Sequence, residues 1–140
     1  MPIYKRCSRC GKRILSGNRC PCEKERHKEY DRFKRDRRSK QFYDSAEWIR
    51  ARTDAMNTDQ GIDVYLFVTK GEIKQADTVH HIIPLKENWE KRCDITNLIS
   101  LHHDTHSLIE QMYKKNKQRI QRELAEILKK YRETVRQGGV

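Results

Sequence analysis

The stretch VHHIIPLKENWEKRCDITNLISLHHDTH, Val79 to His106, holds five of the chain's six histidines: His80, His81, His102, His103 and His106. Imidazoles gathered in so short a span are unusual as core filling. A neutral imidazole can both ligate a transition metal and accept a proton near neutral pH. The pattern around them changes twice. TVHHIIPL, Thr78 to Leu85, reads as a strand halted by Pro84, because proline cannot donate to a ladder. Residues 86 to 97 form a polar loop around Trp89, Asn97-Leu98-Ile99 begins a second short strand, and from Ser100 the chain turns helical. The unit is strand, loop, strand, helix over residues 76 to 115. On its helix His106 and Glu110 stand at i and i+4, one above the other, as a clamp on one ion requires. His102, one turn before His106, competes as a ligand. Adjacent residues on a regular strand face opposite sides, so His80 and His81 serve one site only if the strand end is distorted.

Outward from this unit the signals are plainer. Residues 42 to 56 carry Phe42, Tyr43, Trp48, Ile49 and Met56, a first core-forming segment that Asp44 or Ser45 can cap as a helix. After the polar break Asn57 to Gly61, IDVYLFV is β-branched and aromatic and reads as a strand or a buried helix end. From Ile109 apolar residues recur at helical spacing through Met112, Tyr113, Ile120, Leu124, Ile127, Leu128 and Tyr131, as one long helix or two, ending before Gly138-Gly139.

The 140 residues allow one ordinary domain with a small accessory module. Hydrophobic residues make up 35% and charged residues 36%, so the core is small and metal can help to hold it. The net charge of +11 is uneven: residues 1 to 40 hold 15 Lys+Arg against 5 Asp+Glu, and the remainder 16 against 15. The first forty residues therefore carry the attraction to polyanions. No apolar run approaches the roughly 18 residues of a membrane span, and no apolar stretch of signal-peptide length opens the chain. The expectation is a cytoplasmic protein without a membrane partner, whose thiols bind metal rather than pair as disulfides. Cys7-x-x-Cys10 and Cys20-x-Cys22 are two close pairs across a nine-residue loop, and four thiolates complete a closed tetrahedral site for one structural Zn²⁺. Cys93, far from them, reads as an ordinary thiol. Residues 23 to 40, without Gly or Pro and with only Tyr30 and Phe33 as large apolar groups, read as an exposed helix or a linker.

VHHIIPL followed by NL-x-x-L and a helical histidine resembles the HNH endonucleases over residues 42 to 113. FYDSAEWIRAR and GEIKQADTVHHIIPLKENW are similar to the small phage members that lie beside DNA-packaging terminase genes. The resemblance implies an α+β fold: a ββα-metal (His-Me finger) HNH core with flanking helices and an N-terminal four-cysteine zinc module. It implies that His80 and His106 ligate one catalytic divalent metal (Mg²⁺, Mn²⁺, Ni²⁺ or Zn²⁺), that His81 is the general base, and that Asn97 fixes the loop and the base's orientation. Glu110 stands where relatives carry a further ligand one helical turn on. The expected segments are 1–22, a four-cysteine zinc-binding module; 23–41, a basic helix or linker; 42–115, the nuclease domain; and 116–140, a C-terminal helix.

Many relatives also hold a structural zinc on two C-x-x-C pairs, at positions where this chain has Val64 and Phe67, and His102 and Thr105. Both halves are missing together, so the expectation is that this zinc is absent and that Val64, Leu66 and Phe67 fill the gap with apolar contacts. The cations Arg32, Lys34, Arg35, Arg37, Arg38 and Lys40 are the candidates for contact with DNA phosphates. The reading is a metal-dependent DNA endonuclease or nickase, of phage DNA processing or packaging in a bacterial host cell, with terminase subunits as further partners. The competing reading is a non-enzymatic zinc-finger DNA-binding accessory protein with structural histidines.

Overall fold

The computed structural model describes residues 3–138, apart from the side chains at positions 25, 29, 32, 33 and 35. Two of the expected DNA contacts, Arg32 and Arg35, therefore have side chains outside the described residues. The chain divides into two units, Met1–Gln41 and Phe42–Val140.

In the first unit, strands β1 (Tyr4–Arg6) and β2 (Arg13–Leu15) form an antiparallel hairpin. Its loop closes through the Gly11 amide on the Cys7 carbonyl at 3.0 Å and the Cys7 amide on the Lys12 carbonyl at 2.8 Å. Gly11 sits there at φ +75°, a conformation that suits a residue without Cβ. Helix α1 (Cys22–Tyr43) follows without an apolar stripe, held locally by pairs such as Arg19 and His27 with Glu23.

In the second unit, helix α2 (Ala46–Thr58) starts at Ser45, whose hydroxyl accepts the Trp48 amide at 3.2 Å. The stretch IDVYLFV is not a strand: residues Val64–Lys70 form helix α3. Asp63 caps its start through the Leu66 amide at 2.8 Å and Gly71, at φ +65°, ends it. Caps at both ends outweigh a β propensity that reflects packing more than backbone preference. Strands β3 (Thr78–His81) and β4 (Leu98–Leu101) pair antiparallel, His80 opposite Ile99 and His81 opposite Leu98. Two expectations shift here. β3 ends at His81, before Pro84, and Ser100 belongs to β4, so helix α4 (His103–Arg136) begins only after His102.

This two-stranded ribbon is covered on both faces. Val79 and Leu98 pack with Phe42, Trp48, Ala51 and Ala55 against α2. Ile99 and Leu101 pack with Val64 of α3 and Ile109, Ile120, Leu124, Leu128 and Tyr131 of α4. Tyr43 and Ile49, read as core formers, are instead exposed. α4 breaks at Asn116 (φ −157°, ψ 82°), whose side-chain oxygen accepts the Arg119 amide at 3.3 Å and so starts a second helical segment. Both segments bury their apolar stripe in the same core. No helix among the described residues is long and apolar enough to cross a membrane.

Val64, Leu66 and Phe67 do pack at the start of α3, and Phe67 meets Tyr131 edge-on at 5.6 Å. The polar tie at that joint is Asp63, which is fully buried. One oxygen takes the Leu66 amide and the other the His102 amide at 2.9 Å, joining α3 to the end of β4. A second buried carboxylate, Asp59, accepts the Ser100 amide at 3.1 Å and Arg132 at 3.0 Å. Arg132 also donates to the Leu98 carbonyl at 2.7 Å. Replacing Asp63 by Ala removes a cap and strands buried amides, at a cost of about 2–4 kcal/mol. Urea unfolding of the full chain measures it, and a loss below about 0.5 kcal/mol, the scale of a surface substitution, would contradict this role.

Candidate active site

The ββα unit sets three histidines around the end of β3. His80 faces α4, where its ring lies 5.0 Å from that of His106 and its Nε2 is 3.0 Å from the Tyr113 hydroxyl. Tyr113 donates its own proton to the Ile82 carbonyl at 2.8 Å. Burial raises its pKa, so that proton stays in place. The Tyr113 oxygen must then accept from His80 Nε2–H, which leaves Nδ1 of His80 as the ring's lone-pair donor. Burial, then the neighbouring rings of His106 and His81, push the His80 pKa down to about 3. A ring held neutral is the form that ligates metal.

His106 and Glu110 complete a set with His80 in which one donor atom from each lies within 4.8 Å of the others. His106 Nε2 stands 3.3 Å from a Glu110 oxygen. Two imidazoles and a carboxylate, with one face open to solvent, make a donor set that fits a divalent ion with open positions for substrate. His102 is not part of it: its Nδ1 caps α4 by accepting the Asp104 amide at 3.1 Å.

His81 leaves the opposite face of β3. Its ring stacks on Trp48 at 4.9 Å and meets Phe42 and Tyr43 edge-on. Nε2 lies 2.9 Å from the Arg92 carbonyl. A carbonyl only accepts, so Nε2 carries the proton and Nδ1 keeps the lone pair. No side-chain nitrogen or oxygen buried from solvent lacks a partner among the described residues, so His81 Nδ1, which has none, keeps access to solvent. Burial lowers the His81 pKa, against the opposing effect of the Arg92 carbonyl, and the ring stays neutral and proton-accepting. The strand end is not distorted as expected. It pairs in register through His81, and the two rings flank it from either side.

Asn97 is buried and clasps the intervening loop. Its oxygen takes the Ile83 amide at 2.8 Å, and its NH₂ donates to the Ile83 and Lys91 carbonyls at 3.0 and 3.2 Å. The loop carbonyl next along, that of Arg92, is the one that orients His81. Tyr113, Trp48 and the Arg92 carbonyl were not singled out as site groups in the sequence. Tyr113 sits seven residues after His106 on the same helical face, but a tyrosine in an apolar stripe reads as core. Cys93 is drawn up to about 11 by burial and by Glu47, which keeps it an unreactive thiol.

In the first unit the four expected thiols do converge: one sulfur from each of Cys7, Cys10, Cys20 and Cys22 lies within 4.8 Å of the others. Backbone amides of Cys10 and then Arg9 draw Cys7 down to about 6, whereas sharing with Cys20 and Cys7 drives Cys22 up to about 12. Four thiolates cannot coexist there without a cation, and the set suits tetrahedral Zn²⁺. Lys34, Arg37, Arg38 and Lys40 are exposed on α1.

Residues 69–110 match the family model described as HNH endonuclease. Among solved structures, the HNH endonuclease of the deep-sea thermophilic bacteriophage GVE2 with manganese ion is 35% identical, with a TM-score of 0.59. The match covers 63% of this chain and 95% of that one. No curated protein sequence matches the chain.

Tyr113→Phe removes the acceptor that sets the His80 tautomer while keeping the ring in the core. Affinity for Mn²⁺, measured by titration calorimetry, should fall about tenfold or more. Unchanged affinity would mean that Tyr113 does not orient His80.

Proposed function

The chain belongs to the HNH endonuclease family, metal-dependent phosphodiester hydrolases, and we propose that it cuts DNA with His81 as general base and His80, His106 and Glu110 as metal ligands. The observation that carries this reading is the fixed tautomer of His81, the residue next to the cluster's His80, on the other face of the same strand end. A purely structural histidine would have both ring nitrogens satisfied, and His81 has one committed and one open to solvent. That contrast favours a nuclease over the non-enzymatic accessory protein.

In this reading a water lies against His81 Nδ1 and attacks the phosphorus as the ring takes its proton. The proton and the ring's positive charge are tolerated because Nε2–H remains on the Arg92 carbonyl. Trp48 holds the imidazole plane, and Asn97 holds the loop that carries that carbonyl. A divalent ion on His80, His106 and Glu110 would offset negative charge on the phosphoryl oxygens and the leaving 3′ oxygen. Glu110 supplies a hard oxygen, which favours Mn²⁺ or Mg²⁺ over Zn²⁺ in this set. The manganese of the GVE2 enzyme supports that choice. One finger cuts one strand per encounter, so a nick is the elementary product.

The exposed cations of α1, with the four-cysteine module holding one structural Zn²⁺ at its start, grip the DNA backbone without reading sequence. The resemblance of Phe42–Arg52 to terminase-associated phage proteins, together with the phage origin of the GVE2 enzyme, supports phage DNA processing or packaging in the cytoplasm of a bacterial host, with terminase subunits as partners. In domain terms this makes 1–22 the zinc module and 23–41 the DNA-gripping helix. The nuclease domain is 42–115, and the expected C-terminal helix, 116–140, shares its core.

Nicking of supercoiled plasmid with Mn²⁺ tests the reaction. His81→Ala should lower the rate about 10²–10⁴-fold while DNA binding persists. A wild type that binds DNA yet never nicks it with Mn²⁺, Mg²⁺, Ni²⁺ or Zn²⁺ would restore the binding-protein reading. Replacing Lys34, Arg37, Arg38 and Lys40 together by Ala should flatten the log–log salt dependence of binding by about 0.9 for each phosphate no longer neutralised. An unchanged slope would place the DNA elsewhere.

A further inference from the structure

The structure assigns a third metal site, sharing no residue with the catalytic set or the four-cysteine module, to Asp77, His102 and His103 at the other end of the β3/β4 ribbon. Its occupant is a borderline transition-metal dication such as Ni²⁺, Co²⁺ or Zn²⁺. One donor atom from each of the three residues lies within 4.8 Å of the other two. The ribbon itself brings them together. Thr78 pairs with Leu101 as its last rung, and the Asp77 amide continues the ladder onto the Leu101 carbonyl at 3.1 Å. Asp77 thus meets the two residues that follow β4.

The donors are held in place by contacts among themselves and with their neighbours, and an ion would take the place of the proton that Asp77 and His103 share. Asp77 Oδ1 accepts the Thr78 hydroxyl at 3.0 Å, and its backbone carbonyl accepts Arg52 at 3.0 Å. Oδ2 is thereby presented to His103 Nδ1, 2.5 Å away. His102 commits Nδ1 to the Asp104 amide, which orients Nε2 away from the helix end. Its ring lies 3.9 Å from that of His103. The Asp104 carboxylate stands 3.4 Å from His103 Nε2 and 3.6 Å from His102 Nδ1, with Lys74 as its ion-pair partner at 3.6 Å.

Two imidazoles with carboxylate oxygen favour borderline ions, whereas Mg²⁺ and Ca²⁺ prefer oxygen alone. Asp77 precedes His80 by three residues, about 10 Å along a strand, so the two sets cannot share one ion. An ion here would staple the start of β3 to the first turn of α4, the helix that carries His106 and Glu110. The catalytic set would then gain rigidity from an ion that takes no part in the reaction. Metal dependence of the enzyme would have two components, a site that cuts and a site that braces.

Calorimetric titration of Ni²⁺ into the full chain, purified with its cysteine-bound metal in place, tests this. The wild type should take up two exchangeable equivalents, and His106→Ala, Asp77→Asn and His103→Ala one each. The double variant His103→Ala/His106→Ala should take up none, with circular dichroism verifying that each variant is folded. The equivalent that disappears on adding His103→Ala to the His106→Ala protein is read without any cleavage assay, so it stands or falls apart from the nuclease reading. Equal uptake by His106→Ala and the double variant would overturn the site.

Discussion

The clasp made by Asn97 is the constraint on which the active centre depends. A chain leaving β3 and returning as β4 must bridge from His81 to Asn97 with a loop that reaches the core only through Ile82 and Leu85, with Trp89 and Cys93 packed at its edge. Three hydrogen bonds from one buried amide, to Ile83 on both sides of its peptide unit and to Lys91, close that loop against the ribbon. The pairing lapses just beyond His81: the Ile82 amide still reaches the Asn97 carbonyl, but the Asn97 amide turns to Asp94 and the Ile82 carbonyl to Tyr113. The three bonds of the Asn97 side chain also place the Arg92 carbonyl, which decides where His81 carries its proton. A single side chain thus closes the loop and holds the segment that sets the tautomer of the candidate base. Such a group has no conservative replacement: Asp lacks the NH₂ donors, and Gln adds a methylene in a packed site.

The core around the ribbon is small, and buried carboxylates do joining work that apolar contacts alone do not. Asp59 gathers Ser100 of β4 and Arg132 of α4, and Asp63 gathers the start of α3 and the end of β4. Each has its oxygens satisfied by amides or guanidinium, as a buried charge requires. Asp63, beside Val64, ties the start of α3 to the end of β4 with two hydrogen bonds. The distribution of charge follows a similar division. Residues 42 to 113 hold 7 Lys+Arg against 12 Asp+Glu, and residues 114 to 140 hold 9 against 3. The net negative charge of the segment that holds the histidines favours a cation, while the positive excess lies in the segments before and after it in sequence.

Much of this was legible in the sequence. Histidine spacing, the Asn97-Leu98 turn into a strand, the i,i+4 pair His106 and Glu110, and the two cysteine pairs are local patterns, and local patterns survive in one dimension. Ser45 as a helix start is of the same kind. The elements left open or misplaced have a common cause. IDVYLFV is β-rich in composition and left strand and buried helix end both open; Asp63 and Gly71 cap it as a helix, and the partner that makes Asp63 decisive, the His102 amide, lies 39 residues away. Pro84 is a strong strand breaker, but pairing lapses earlier, where Tyr113 takes the Ile82 carbonyl and Asp94 the Asn97 amide.

The sequence by itself determined the inventory: which residues can bind metal, which can take a proton, and which segment bears the positive charge. It did so because chemistry belongs to residue type and helix or strand pairing to short-range spacing. Only the tertiary structure decided the assignments. His80 and His81 are neighbours in sequence, yet one is turned to Tyr113 and His106 and the other to Trp48 and Arg92. His102 and His106 are one turn apart, yet one caps α4 and gathers with Asp77 and His103, and the other gathers with His80 and Glu110. The choice between His80 and His81 rests on hydrogen-bond partners 33 and 11 residues away, and an imidazole's role is set by what its second nitrogen touches.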